Sequence, residues 1–188
     1  MRPVNPFTKR KTLARIHDPG SSYNLSLRYF SMEKDMRCAC DWFEKKFPVE
    51  FPIENKIDRC YDLQEIIIKN LRSDQEQVFC CLLDKKPLFQ VDICEARHDN
   101  NLAPFAQGGD FRLALLTSLE MAGSEDLFRC ALKFCIDYFF SFKKIKAVFI
   151  ISGSMLHTGD WLIHAGFEKI KSPGIKIQED EIYKCTKH

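Results

Sequence analysis

The sequence is short of glycine and proline, with eight of each in 188 residues. It holds no internal repeat and no low-complexity stretch, which excludes solenoids, collagen-like rods and flexible linkers. No apolar run approaches the ~20 residues that a membrane-spanning helix requires. The N-terminus carries basic residues but lacks the apolar core of a secretory signal. An excess of one charge is missing too: 28 Lys and Arg stand against 26 Asp and Glu, a net +2. Such a balance exerts no strong pull on nucleic acid or on a membrane surface. Cysteine is the exception, with nine at Cys38, Cys40, Cys60, Cys80, Cys81, Cys94, Cys130, Cys135 and Cys185. The number is odd, and no pair is spaced C-x-x-C. Cys38 and Cys40 form a C-x-C pair with no His or second Cys pair at zinc-finger spacing. Most lie inside apolar runs, where a thiol packs as a small hydrophobe. They read as reduced cysteines of a cytoplasmic protein with no metal.

What is present is enough apolar residue, 45% of the chain with 16 Phe, to build a core of one domain. Those Phe could also leave an apolar patch for a second copy of the chain. Residues 1–22 are a basic surface arm, with Arg2, Lys9, Arg10, Lys11 and Arg15 against Asp18, and with room for one short strand. Residues 23–188 read as the domain itself. "NLSLRYF" (24–30) alternates as a half-buried strand does. Ser31 can cap a helix over "MEKDMRCACDWFEKKF", with Lys34 at the capping-box position. "FPVEFPIENK" is broken by proline and reads as a loop, after which Asp62 can cap "LQEIIIKNLR", with Leu63, Ile66, Ile67 and Leu71 on one side. "QVFCCLLD" and "PLFQVDICEA" form a hairpin about "DKKP". Residues 97–110 are a loop, "FRLALLTS" (111–118) a strand, 125–142 an amphipathic helix and "KAVFIIS" (146–152) a buried strand. A short helix ends at Gly166, and "EKIKS" and "EIYKC" close the chain as two strands. The order predicts an α/β protein with one mixed sheet and helices on its faces.

Within this order, "KPLFQVDICEARHDNNLAPFAQGGDFRLALLTS" places Pro87, Phe89, Ala96, Asp99, Leu102, Pro104, Gly109, Asp110, Leu115 and Leu116 at characteristic spacings, and "HAGFEKI" follows the last helix. The pattern resembles the GNAT superfamily of N-acetyltransferases, and within it the siderophore-biosynthesis acyltransferases, over roughly residues 24–186. The resemblance implies a central twisted mixed sheet with helices on both faces. It implies transfer of an acetyl or other acyl group from acyl-CoA, as co-substrate, to a small amine or hydroxylamine. Backbone N–H groups of Leu115, Leu116 and Thr117 would receive the acyl carbonyl and pantetheine arm. An N–H aimed at a thioester carbonyl stabilises the tetrahedral oxyanion. The diphosphate would lie on the helix that follows "EMAGSED", against Ala122, Gly123 and Ser124, with Met155 at a further coenzyme position.

The chain departs from that family's pattern in the same places. Ser124 stands for an Arg and Glu125 for a Gly in the phosphate loop, and Ala114 and Leu162 replace the strand His and the helix Tyr. Ser124, Glu125 and Asp126 also suit an ordinary helix start. Asp110 and His98 are then the candidates for acid–base work. Asp92 is the candidate for a substrate ammonium, and Arg112 for pairing with Asp92 or with an anionic substrate. The residues leave a second reading open, a non-catalytic binding or assembly module of the same fold that has lost normal coenzyme A binding.

Overall fold

The computed structural model describes residues 14–17, 23–46, 54–73, 75–117, 125–152, 159–170 and 181–187. The chain divides into two compact units, one of residues 1–92 and 115–123, the other of residues 93–114 and 124–188.

The first unit begins with β1 (Ala14–His17), which pairs antiparallel with β2 (Asn24–Tyr29). The basic arm thus contains the short strand for which its sequence left room. β2 pairs antiparallel with β3 (Glu76–Leu83), from Leu25↔Leu83 to Tyr29↔Phe79. β3 turns into β4 (Lys86–Glu95) through Asp84 and Lys85, at φ 48° and 69°. Two successive left-handed residues make the tight turn whose twist matches the strands it joins.

Between β2 and β3 run α1 (Met32–Lys46) and α2 (Glu54–Arg72). Their apolar faces, Met36 and Ala39 from one and Leu63 and Ile67 from the other, close on Val78, Cys80 and Leu82 of β3. Each buried Leu, Ile, Val or Met among them contributes about 1.5–3 kcal/mol. α2 starts at Glu54, well before Asp62, which lies inside the helix rather than at its cap. After Pro52 nothing in "IENKIDRCYD" breaks a helix, so a capping residue further on does not begin one. Ile66 also departs from expectation: it is exposed, while Leu63 and Ile67 carry the burial.

α1 is fixed at its start by a carboxylate one residue beyond the capping-box position. Asp35 accepts the Ser31 N–H at 2.7 Å and both arms of the Arg28 guanidinium at 2.5 and 2.6 Å. Burial of Cys80 among these groups pushes its thiol well above the usual range, and the Asp35 carboxylate adds to that. Cys38, Cys80, Cys81, Cys94, Cys130, Cys135 and Cys185 are free thiols, as expected. Cys40 on α1 is not; it is disulfide-bonded. Tertiary packing joins cysteines that spacing along the chain does not relate.

The second unit contains the mixed pairing. β5 (Asp110–Thr117) runs parallel to β6 (Ala147–Ser152), while β8 (Glu181–Thr186) is antiparallel to both β6 and β7 (Glu168–Ile170). α3 (Glu125–Phe140) connects β5 to β6 and buries Phe128, Ala131, Leu132, Cys135, Ile136 and Phe139, the stripe expected of an amphipathic helix. α4 (Gly159–His164) ends on Gly166 at φ +91°, and Phe128 of α3 meets Trp161 of α4 with ring centroids 5.5 Å apart. The loop after β4 is more ordered than its composition suggested. It opens with a 3-10 turn, Ala96–His98, and buries Ala96 and Leu102 against Phe149 and Ile182.

Candidate functional site

β5 is seated by the residues just before it. Gly109 has φ +95°, and a Cβ there would lie 2.7 Å from the Lys144 carbonyl oxygen, so only glycine fits. Asp110 follows, only 5% exposed. Its Oδ2 accepts the Gln107 N–H at 2.9 Å and faces Lys184 Nζ at 3.7 Å. Lys184 also lies over the Phe149 ring, 5.0 Å from its centroid. Two residues along, Arg112 pairs with Asp99 at 3.0 Å, and Asp99 accepts the Asn101 N–H at 2.8 Å. Arg112, Phe149, Lys184 and Glu168 are register partners in one row across β5, β6, β8 and β7. The Asp99–Arg112 ion pair and the Gln107 N–H bond to Asp110 therefore tie the loop 96–109 to the start of β5 near both of its ends.

Asp92 accepts Gln90 Nε2 at 2.8 Å within the first unit. His98 is exposed at the end of the 3-10 turn, whereas Asp110 is buried at the foot of β5.

The parallel register of β5 with β6 runs from Asp110↔Ala147 to Leu113↔Ile150, and both strands continue beyond it. Leu115, Leu116 and Thr117 occupy the continuing end of β5 and are half-buried, and Leu116 packs against the α1–α2 cluster. Ala122, Gly123, Ser124 and Met155 lie outside the described residues. α3 opens on Glu125 and Asp126, both exposed, and Asp126 pairs with Arg129 at 2.8 Å. The first turn of α3 thus presents carboxylates beside its own N–H groups. Leu162 is 2% exposed, a core residue of α4.

One constellation is not apparent in the sequence. On β8 the Tyr183 hydroxyl donates to Glu181, and Lys169 of β7 donates to the other carboxylate oxygen. The Lys169 hydrogen bond first, and that of Tyr183 second, hold the Glu181 carboxyl below its usual range. The i, i+2 spacing of Glu181 and Tyr183 is the one signal of it, since strand alternation puts such residues on one face.

No protein-family model matches the sequence, and no curated protein matches it. Solved structures do. An uncharacterized protein from Bacillus halodurans is 16% identical with a TM-score of 0.70, over 94% of this chain and 91% of that one. RimJ from Mycobacterium smegmatis, solved with CoA-disulfide, is 14% identical with a TM-score of 0.64, over 93% and 87%. An aminoglycoside acetyltransferase solved with coenzyme A and kanamycin is 12% identical with a TM-score of 0.65, over 86% and 94%. At these identities the likeness is one of fold. The chain has the mixed α/β fold of GNAT-type acetyltransferases.

Proposed function

We propose that the chain is an acyl-CoA-dependent N-acyltransferase acting on a small amine by direct attack. The observation that carries this reading is the mixed α/β fold itself, shared with acetyltransferase structures solved with coenzyme A or CoA-disulfide. Backbone N–H groups along Leu115, Leu116 and Thr117 orient the acyl carbonyl and stabilise the oxyanion, the largest electrostatic contribution to acyl transfer. The start of α3, with Ala122, Gly123 and Ser124 before it and Met155 beyond, holds the diphosphate arm. Asp92 attracts the acceptor ammonium, and His98 takes a proton from the attacking nitrogen. Asp110 assists by fixing the start of β5, and Arg112 by holding the acceptor-side loop through Asp99. Positioning of two bound reactants then supplies much of the acceleration.

The acceptor class follows from what two of the relatives were solved with, kanamycin in one and spermine in the spermidine N-acetyltransferase of Vibrio cholerae. Thiol release from acetyl-CoA in the presence of kanamycin, spermidine and simple primary amines tests the reading. Amine-dependent release supports it; none with any amine refutes it. The exposed carboxylates Glu125 and Asp126 at the start of α3 favour a second reading, a binding module of the same fold without turnover.

A further inference from the structure

One covalent link in the first unit has no part in the chemistry above. Cys40 of α1 is disulfide-bonded, while Cys38, Cys80, Cys81, Cys94, Cys130, Cys135 and Cys185 are free thiols. The chain has nine cysteines, and the one left is Cys60, within α2. Its position in the sequence suits the bond. Met36, Ala39, Cys40 and Phe43 recur on α1 at helical spacing and pack in one cluster with Leu63, Ile67 and Leu71 of α2. Cys60 stands three positions before Leu63 and seven before Ile67, which sets it on the same stripe of α2. The neighbouring thiols do not compete for the link. A thiol exchanges with a disulfide only as its thiolate. Burial first, then Asp41 and Asp35, pushes the Cys38 thiol up. Burial first, then Asp35, pushes the Cys80 thiol up further still. Both stay protonated near neutral pH, so the Cys40 bond does not reshuffle within the cluster. Cys40 itself is half-buried, within reach of a small thiol from solvent.

We propose that Cys40 and Cys60 form a redox-sensitive staple between α1 and α2, closed and opened by exchange with a low-molecular-weight thiol and its disulfide, such as glutathione. The exchange balances. One cysteine thiolate attacks glutathione disulfide, forms a mixed disulfide and expels one glutathione thiolate. The second cysteine thiolate attacks the protein sulfur of that mixed disulfide and expels the other glutathione. Two protein thiols lose two electrons and two protons, and one glutathione disulfide becomes two glutathione thiols. An excess of reduced glutathione runs the same steps backwards. Closing a loop of about 20 residues takes entropy from the unfolded chain, so the closed staple stabilises the fold. Seven free thiols beside one bond show a pair singled out by its placement, not a chain oxidised throughout. The redox state of the surroundings then sets how firmly α1 holds α2.

The staple is independent of acyl transfer, since it is read by thiol count and unfolding temperature. The full chain is equilibrated in glutathione buffers from fully reduced to fully oxidised, quenched in acid, unfolded and alkylated. Intact mass is expected to show nine alkylated thiols at the reducing end and seven at the oxidising end, with a midpoint between them. Peptide mapping of the oxidised chain is expected to link Cys40 to Cys60. The oxidised chain should melt roughly 6–12 °C above the reduced one, and the difference should vanish in Cys40→Ser. Nine thiols in every buffer, seven even in excess reduced glutathione, or a bond between other cysteines overturns the proposal. Equal melting temperatures of the two forms overturn it as well, as does a difference that survives in Cys40→Ser. Should Cys40→Ser fail to fold, the wild-type chain decides alone, because its thiol count, its peptide map and its two melting temperatures need no variant.

Discussion

Truncation of Asp35 is the sharpest perturbation of the fold. The carboxylate is fully buried and receives three donors: two from Arg28, at 2.5 and 2.6 Å, and the Ser31 N–H at 2.7 Å. Arg28 is itself 19% exposed, and the Asp35 hydrogen bonds hold its guanidinium charged even more firmly than usual. Asp35→Ala leaves that charge buried without its partner and uncaps the first turn of α1. Breaking a buried pair from one side costs about 3–5 kcal/mol. A chain of this size loses about 2–4 °C per kcal/mol, so the melting temperature should fall by roughly 10 °C. Replacing both partners with apolar groups, as in Arg28→Met with Asp35→Leu, should recover most of the loss, because no charge is then left buried. Urea denaturation with a constant slope reads both quantities. A loss below about 1 kcal/mol for Asp35→Ala, or a double variant no better than the single one, would refute the reasoning.

Two further outcomes are expected. Gly109→Ala forces a Cβ to within 2.7 Å of the Lys144 carbonyl at φ +95°, and should cost about 1–3 kcal/mol in a denaturation experiment. An effect near zero would show that the start of β5 can shift freely. Glu125→Gln removes one negative charge from the exposed start of α3 and should tighten coenzyme A binding about two- to fivefold at low salt, fading as ionic strength rises. Weaker binding in that variant would mean that Glu125 assists the coenzyme.

The sequence carries the element order because its apolar periods are strong. The stripe Phe128, Ala131, Leu132, Cys135 is legible as a helix from its spacing alone. α2 is harder, since Asp62 looks like a helix cap, yet helix propensity over the preceding residues overrides it. The disulfide at Cys40 is not legible from spacing, because tertiary packing brings its partner near. At the site, the loop 96–109 looks polar and irregular in sequence. Its order comes from the Arg112–Asp99 pair and from Asp110, which accepts the Gln107 N–H and pairs with Lys184, 74 positions further on. Arg112 pairs with Asp99 of that loop, a contact that no local pattern announces. Tyr183 and Glu181 are inconspicuous because they belong to a late strand of ordinary composition, and their partner Lys169 lies on another.

The central claim is that this fold still receives an acyl-CoA. Calorimetric titration of the full chain with acetyl-CoA, paired with thermal unfolding, tests it directly. The account predicts saturable one-to-one binding and a rise in unfolding temperature with ligand, with stability gained by about 2.7 kcal/mol at a hundred times Kd. No heat and no shift at millimolar acetyl-CoA would contradict it.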